Sequence, residues 1–363
     1  MHKKCLKNFF NVNFFCFQKK PKNWIKHKMT KETTPFKKSV YKYEEPWTVY
    51  SVSWNNFNSN RPMIACTSFV DDYINYVNIL QYDPESDSIN KIAECEQPYP
   101  PTKVKFMPVA KDSTKEPDLL ITSGNNLRLF RLKDNSLQLE KSLQTPNDAG
   151  TGDNVSPSTS FDWCVTKPSC VVSCSIDKTC SVWDLERGML MNKIVAHEKE
   201  VFDIAFSNSP FVFATVGADG SLRSFDIRNL GQSTIMFESQ GLVPLLRLNW
   251  NMVNTDLIAT ICMDSNDIII IDSRKPSTPY AELKVHKNSV NAVEWSPVEG
   301  NRLCSGSDDH NALIWDIEPL KSHEKPIILQ YEAENEVNNL SWSKSHPNMI
   351  CASVGKNVEI LKV

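Results

Sequence analysis

LCSGSDDHNALIWD, residues 303–316, decides the fold of this 363-residue chain. Apolar residues alternate with small or polar ones on both sides of the turn SDDH (307–310), which is the pattern of two β-strands joined by a tight hairpin. The same unit recurs as CVVSCSIDKTCSVWD (170–184) and VFATVGADGSLRSFD (212–226), and each copy ends in an aromatic residue followed by aspartate. Three copies of one hairpin predict an internal repeat.

A second recurring element is a short β-rich segment that ends in an aromatic residue. Successive aromatics lie 52, 57, 43, 44, 45 and 47 residues apart, which is the length of a four-stranded propeller blade with insertions in the first two intervals. No segment has a long helical periodicity. The sequence therefore predicts an all-β, seven-bladed β-propeller. The seven aromatics are Trp54, Phe106, Trp163, Phe206, Trp250, Trp295 and Trp342.

The two ends of the repeat region predict how the ring closes. Residues 358–363 have the pattern of a third strand in the last blade, and no residues follow them to form a fourth. SVYKY (39–43) stands just before the first repeat and can supply that outer strand, which would remove an exposed sheet edge. We therefore expect one propeller over residues 39–363, and we expect that cutting residues 39–45 opens the ring.

Residues 1–38 differ in composition from the rest of the chain. They contain eleven lysines and one acid, Glu32, together with a phenylalanine-rich stretch over 9–17. We expect a basic, disordered tail, or upstream sequence that is absent from the mature protein if translation begins at Met29. The functional alternative is a nuclear-import or phosphate-binding arm. Its densest part would be Lys19, Lys20, Lys22, Lys26 and Lys28.

Composition limits the remaining classes of function. The formal net charge of −3 gives the whole molecule no attraction to nucleic acid, so direct binding to nucleic acid would rest on the lysine-rich tail alone. The longest apolar runs have the length of strands, which predicts no membrane span. Eleven scattered cysteines without a CxxC pair indicate a reduced protein of the cytoplasm and nucleus, with no metal and no cofactor.

Two repeats combine histidine, a hydroxyl residue, aspartate and an aromatic residue, which suggests a catalytic triad. The spacing from hydroxyl to aspartate to aromatic also recurs in a third repeat, as Ser173, Asp177 and Trp183. A nucleophile needs one site, whereas a network that recurs in each blade indicates structure. We therefore predict hydrogen-bonded structural tetrads and no enzyme activity. The two sets are His197, Thr215, Asp219 and Phe225, and His286, Ser305, Asp309 and Trp315.

These repeats resemble the WD40 signature, and the stretches between them are more specific. YKYEEPWTVYSVSW (41–54), SFVDDYINYV (68–77), PYPPTK (98–103) and DLLITSGNNLRLFR (118–131) resemble the Transparent Testa Glabra / anthocyanin-eleven family of WD40 adaptors over residues 41–363. In animals this family includes a cullin-4-associated factor that scaffolds dual-specificity tyrosine-regulated kinases, and in plants its members assemble with transcription regulators. The resemblance implies a non-catalytic scaffold for kinases or transcription regulators, with a substrate receptor of a cullin-4 ubiquitin ligase as the alternative.

Two groups of residues are candidates for partner contacts. Consecutive repeats end in Asp226-Ile227-Arg228 and Asp272-Ser273-Arg274, which resemble the tandem Asp-x-Arg box that docks propellers onto the cullin-4 adaptor. The alternative is that each arginine only pairs with an acid of a neighbouring blade. By analogy with WD40 proteins, the residues four places before each repeat aromatic ring the entrance of the central channel, unless they are buried strand residues. They are Tyr50, Thr102, Thr159, Phe202, Leu246, Asn291 and Asn338, with Glu200 and Glu336 beside them.

Overall fold

The computed structural model describes residues 40–57, 62–108, 119–144, 156–318 and 326–363. These residues form 28 β-strands and two single-turn 3-10 helices, Ile227–Asn229 and Gln240–Leu242. The strands assemble into seven antiparallel sheets of four strands each. Each sheet is one blade, and we number the blades 1 to 7 in the chain order of their inner strands.

In blades 1 to 6 the four strands follow one another along the chain from the inner to the outer edge of the sheet. Blade 1 contains β2 (Val49–Asn55), β3 (Met63–Ser68), β4 (Asn75–Asp83) and β5 (Ser88–Gln97). Blade 2 contains β6 (Lys103–Phe106), β7 (Leu119–Ser123), β8 (Leu127–Lys133) and β9 (Ser136–Leu143). Blade 3 contains β10 (Ser158–Trp163), β11 (Cys170–Ser175), β12 (Thr179–Asp184) and β13 (Met189–Val195). Blade 4 contains β14 (Val201–Phe206), β15 (Val212–Gly217), β16 (Ser221–Asp226) and β17 (Ser233–Glu238).

The other three blades complete the ring. Blade 5 contains β18 (Leu245–Trp250), β19 (Leu257–Cys262), β20 (Asp267–Asp272) and β21 (Pro279–Lys284). Blade 6 contains β22 (Val290–Trp295), β23 (Arg302–Ser307), β24 (Asn311–Asp316) and β25 (Ile327–Glu332). Blade 7 contains β26 (Val337–Trp342), β27 (Met349–Val354), β28 (Asn357–Lys362) and β1 (Val40–Glu44).

Each inner strand contacts the inner strand of the next blade, and β26 of blade 7 contacts β2 of blade 1. The seven sheets therefore surround one axis, and the predicted seven-bladed propeller is confirmed. Each blade is a sheet with apolar side chains on both faces, and it buries them only by stacking against a neighbouring blade on each side. The core therefore lies between the blades and not at a single centre. Seven apolar clusters fill the seven interfaces between neighbouring blades.

The N-terminal strand closes the ring, as the sequence predicts. β1 pairs antiparallel with β28, and Lys42 stands opposite Glu359 in the register. The Nζ atom of Lys42 lies 3.1 Å from Oε1 of Glu359, which is fully buried, and the hydroxyl of Tyr331 donates to its Oε2 at 2.7 Å. The described part of the strand begins at Val40. Ser39 and the lysine-rich residues 1–38 lie outside the described residues.

The antiparallel order gives the ring two distinct faces. We call the end where the inner strands begin the upper face; the turns between second and third strands lie at this end. The inner strands and the third strands finish at the opposite end, which we call the lower face. Each turn residue therefore lies on one of the two faces. Candidate sites on opposite faces are separate and share no residues.

Candidate protein-interaction site

The tetrad residues of blade 6 form one hydrogen-bonded chain from the upper face into the sheet. His286 Nδ1 lies 3.0 Å from Asp309 Oδ2, and His286 Nε2 lies 2.7 Å from Ser305 Oγ. The indole Nε1 of Trp315 donates to the same hydroxyl at 2.8 Å. Asp309 also accepts the backbone N–H of Lys287 at 2.8 Å. Burial raises the pKa of Asp309, but the hydrogen bond and charge of His286 outweigh burial and lower it to about 2.

Blade 4 repeats this arrangement with one member changed. His197 Nδ1 lies 3.0 Å from Asp219, and His197 Nε2 lies 2.7 Å from the hydroxyl of Thr215. Phe225 has no N–H to donate, so the chain of bonds ends at Thr215, and Phe225 stacks on Phe213 at 5.3 Å between ring centroids. Burial raises the pKa of Asp219, but its hydrogen bonds from His197 and Ser221 lower it well below the usual range.

In blade 3, the described residues contain only the tryptophan-to-serine hydrogen bond of this network. Trp183 Nε1 donates to Ser173 Oγ at 2.9 Å, while Asp177 accepts from Thr179 and lies 3.1 Å from the ammonium of Lys193. The hydroxyls of Ser305 and Thr215 are fully buried, and each is already bonded within its blade. A nucleophile must reach a substrate, and these hydroxyls cannot. The three networks connect strands to turns within their blades.

The residues expected at the channel entrance are mostly buried. Phe202 and Leu246 belong to the apolar layer between blades 5 and 6, and the ring of Tyr50 stacks on Phe69 with 4.7 Å between centroids. Thr102, Thr159 and Asn338 are also buried, whereas Asn291 is half-buried. Phe202 and Leu246 therefore pack between blades, whereas Tyr50 lines the channel, where its hydroxyl accepts from Arg247 at 3.4 Å. The contact of these residues with a partner stays a prediction.

Several of these side chains connect neighbouring blades. Thr159 Oγ1 donates to the carbonyl of Val201 at 2.6 Å, and Asn291 Nδ2 donates to the carbonyl of Val337 at 3.1 Å. Of the two acids placed beside them, Glu200 is half-buried and Glu336 is exposed. The sequence thus located the channel entrance but did not show which way its side chains point.

A ring of polar side chains lines the channel, and sequence reasoning missed it. The inner strand of each blade is a sheet edge, so its backbone N–H groups that point into the channel need acceptors from outside their own sheet. Side chains of the preceding blade supply them: Asp162 accepts from Phe206 N at 2.8 Å, Asn249 from Trp295 N at 3.2 Å, and Glu294 from Trp342 N at 3.0 Å. The signal in the sequence is a polar residue directly before a repeat aromatic, at Ser53, Asp162, Asn249, Glu294 and Ser341.

The channel is a cavity of about 120 Å³ whose charges largely neutralise one another. Lys105 Nζ lies 2.6 Å from Asp162 Oδ1, and Lys103 Nζ lies 3.2 Å from Asp203 Oδ1. Burial raises the pKa of Glu294 to about 7, although the charge of Lys105 opposes this rise. The polar groups here are used to join blades, which leaves the two faces as the surfaces available to partners.

The two Asp-x-Arg boxes lie side by side on the lower face and have the same geometry. In blade 4, Arg228 Nε and Nη2 donate to the two carboxylate oxygens of Asp226 at 3.0 and 2.6 Å. In blade 5, Arg274 makes the same pair of bonds to Asp272 at 2.9 and 2.7 Å. Both arginine side chains remain about two-thirds exposed. Each arginine pairs first with the acid of its own box, and Arg274 also lies 3.3 Å from Asp256 of its own blade.

Exposed apolar residues accompany the two boxes. Phe211, Val253 and Val298 occupy the inner hairpin loops of blades 4, 5 and 6, and all three are exposed. The guanidinium carbon of Arg228 lies 4.7 Å from the centroid of the Phe211 ring. A rigid cation beside exposed apolar side chains is the composition of a protein-binding patch. The lower patch is defined as Arg228, Arg274, Phe211, Val253 and Val298.

Other kinds of site find little support in the part of the chain that the structure describes. Among those residues, no three of histidine, cysteine, aspartate or glutamate come together as metal ligands. The described helices are too short to cross a bilayer.

Comparison with known proteins places the chain among WD-repeat proteins. The sequence profile "WD domain, G-beta repeat" matches residues 188–226 and 277–316, which correspond to the first three strands of blades 4 and 6 and the outer strand of the blade before each. The chain is 45% identical over 332 residues to the "DDB1- and CUL4-associated factor 7 homolog" of Dictyostelium discoideum, with 90% of this chain and 99% of that protein covered.

Two fungal proteins are more distant relatives. An uncharacterized WD repeat-containing protein of Schizosaccharomyces pombe is 32% identical over 88% of this chain and 89% of its own length. A WD repeat-containing protein of Saccharomyces cerevisiae is 31% identical over 78% of this chain and 59% of its own length. The chain therefore belongs to the WD-repeat family of the DDB1- and CUL4-associated factor 7 homolog, a family of non-catalytic propeller adaptors.

Proposed function

We propose that this chain is a scaffold that holds client proteins on its upper face and a cullin-4 ligase adaptor on its lower face. The observation that carries the proposal is the matched pair of Asp-x-Arg boxes on neighbouring blades, in a chain whose relative is named for association with DDB1 and CUL4. Arginine suits such docking because its planar fork can bind carboxylates and carbonyls while its stem packs against apolar groups.

The ligase half of the proposal is tested by a pull-down with Arg228→Ala plus Arg274→Ala. Both side chains are exposed, so the double variant is expected to fold normally and to lose recovery of the ligase adaptor. Arg187→Ala is a matched control, because Arg187 follows the third strand of blade 3, is exposed, and lies 3.8 Å from Asp184 without the bidentate pairing. Unchanged adaptor recovery by the double variant would remove the hypothesis.

The client half concerns protein kinases of the dual-specificity tyrosine-regulated type or transcription regulators, as the resemblance to the Transparent Testa Glabra / anthocyanin-eleven family implies. Glu200 and Glu336 on the upper face are candidate contacts, because they stand beside the channel entrance and are half-buried and exposed, respectively. Glu200→Lys plus Glu336→Lys should reduce client recovery while leaving the ligase adaptor bound. If this variant recovers as much client and as much ligase adaptor as the parent does, the assignment of clients to the upper face is contradicted.

We also propose that residues 1–38 are separate from the propeller of residues 39–363, and that the protein works in the cytoplasm and nucleus. Affinity purification with mass spectrometry, comparing the full chain with residues 39–363, tests whether the tail recruits partners of its own. A salt-sensitive nucleic-acid shift that disappears with the tail would favour the alternative of nucleic-acid binding.

A further inference from the structure

A rigid hairpin on the upper face of blade 1 presents apolar side chains to solvent. The hairpin joins β3 to β4, and the fully buried Asn75 holds it. The side-chain oxygen of Asn75 accepts from Ser68 Oγ at 2.7 Å and from Val70 N at 2.9 Å, while its amide donates to the carbonyls of Val70 and Asp72 at 3.1 Å. The loop is thus fixed before any partner arrives, which lowers the entropy cost of binding.

The fixed loop exposes Tyr73 and Ile74, which are 60% and 49% accessible. The ring of Tyr73 meets the ring of Tyr99 edge to face, with 6.1 Å between centroids. Tyr99 has a φ of 68°, a left-handed conformation that is uncommon for a tyrosine. A backbone held in this conformation turns the ring toward Tyr73. Exposed aromatics on a rigid support are typical of the centre of a protein-binding surface.

An unpaired cation stands beside this aromatic pair. Arg128 lies near the upper end of β8 in blade 2, and it is half-buried. In the part of the chain that the structure describes, its guanidinium forms no hydrogen bond and no ion pair. Arg128 stands opposite Thr122 in the register, and Thr122 Oγ1 donates to Oε1 of Gln97, two residues before Tyr99, at 3.0 Å. Burial lowers the pKa of Arg128, and the charge of Arg128 opposes the rise that burial gives the pKa of Cys95 in blade 1. None of its nitrogens is a buried, unpaired atom, so they reach water, and a carboxylate can replace that water with a charged bidentate hydrogen bond.

The geometry points to a docking groove between blades 1 and 2, formed by Tyr73, Ile74, Tyr99 and Arg128, that binds a segment of a partner protein carrying an apolar side chain next to a carboxylate. The apolar side chain covers the tyrosine pair, and the carboxylate pairs with Arg128. Asp71 and Asp72 also lie in the loop, but both are exposed to water, and Asp72 already accepts the backbone N–H of Tyr73 at 2.7 Å. These acids are solvated, and among the described residues neither pairs with Arg128. The inference rests on the proposed scaffold function and names the chemistry of the client.

A peptide selection tests this groove. A phage library of random 12-residue peptides is selected on the full chain, and the strongest peptide is synthesised in its glutamate or aspartate form and in the matching amide form. We expect an apolar residue beside an acid to be enriched. Arg128→Gln, or conversion of the peptide acid to its amide, should weaken the dissociation constant by about 10- to 100-fold, as expected for loss of a charged hydrogen bond. Tyr73→Ala should weaken it as well.

Matched variants keep the test specific. Arg131→Gln, on the same strand, removes an arginine that already donates to Glu140 at 2.8 Å, and it should leave peptide binding unchanged. Arg128→Lys should retain part of the affinity. Selected peptides without acids, equal binding by Arg128→Gln and the parent, an equal loss in Arg131→Gln, or binding only by a phosphoserine form of the peptide would each overturn the inference. The Arg228 and Arg274 double variant should bind the peptide normally, so failure of the ligase proposal stays distinguishable from failure of this one.

Discussion

The imidazole Nδ1 of His286 lies 3.0 Å from the carboxylate Oδ2 of Asp309, and this contact joins the segment before β22 to the turn between β23 and β24. Two connections whose bonded residues are 23 positions apart in the chain are thereby held together at the upper face. The same contact recurs between His197 and Asp219 in blade 4. A bond that recurs at equivalent places in two blades stabilises the fold rather than one site.

Replacing Asp309 by alanine should lower the free energy of unfolding by about 1–3 kcal/mol, because it leaves the His286 ring and the Lys287 N–H without their acceptor. Urea unfolding followed by tryptophan fluorescence measures the change. Asp71→Ala, an exposed aspartate of the same face, should be neutral. A neutral result for Asp309→Ala would show that the tetrad does not stabilise blade 6.

Replacing the neighbouring Asp308 by asparagine should raise the stability of the protein, whereas replacing Asp309 lowers it. Burial raises its pKa to about 6, and the charges of Glu336 and Asp309 add to this rise, although a hydrogen bond from Asn291 opposes it. A carboxyl group whose pKa rises on folding contributes stability below its unfolded pKa of about 3.9, and that contribution is lost as the pH rises through about 6. Asp308→Asn should therefore stabilise the protein at pH 7, by up to about 1 kcal/mol after screening by water, and should be neutral near pH 4. Chemical unfolding of Asp308→Asn and of the parent, at pH 7 and near pH 4, measures this difference in the free energy of unfolding.

The closing strand gives a truncation test. A chain that starts at residue 39 should unfold at the same temperature as the full chain, whereas one that starts at Glu45 loses β1. Loss of Lys42 removes one of the two partners of the fully buried Glu359 and leaves Tyr331 as the other. Because the Lys42 side chain is 35% exposed, water screens the pair, and its loss should cost about 1–3 kcal/mol. Differential scanning calorimetry, with hydrogen exchange along β28, measures both effects. Similar exchange in the two truncated chains would mean that β1 does not close the ring.

Glu294 tests the polar ring of the channel. Its carboxylate accepts the N–H of Trp342, so Glu294→Ala leaves that buried group unpaired and should cost about 1–2 kcal/mol. Glu294→Gln keeps an acceptor and removes a charge whose ionisation burial opposes, so it should retain the stability of the parent at pH 7. Chemical unfolding of both variants provides the comparison. Equal losses in the two would show that the charge, and not the hydrogen bond, joins blades 6 and 7.

The periodic features of this protein could be predicted from sequence because each blade repeats the same local pattern. The aromatic at Trp315 and the hydroxyl at Ser305 lie ten residues apart on paired strands, and this spacing already implies their hydrogen bond. The pairing of residues 40–43 with the last blade was predicted, because SVYKY stands just before the first repeat and the last blade needs a fourth strand. The Asp226–Arg228 bond also lies within three residues of chain, so its members were visible in the sequence.

The direction of side chains at blade interfaces could not be read in the same way. Phe202 and Leu246 stand at the predicted channel entrance, yet they are buried because the next blade covers them. The proposed groove beside Tyr73 depends on Arg128, which lies more than 50 residues away in the chain and carries no local signal.

The sequence alone determined the number of blades, their order, the way the ring closes and the networks within blades 3, 4 and 6, because a period of two along strands and about 45 residues along the chain is set by local geometry. The tertiary structure alone decided which polar groups join neighbouring blades and which remain open to partners. Those choices depend on contacts between residues that are distant in the chain, and only the closed ring brings them together.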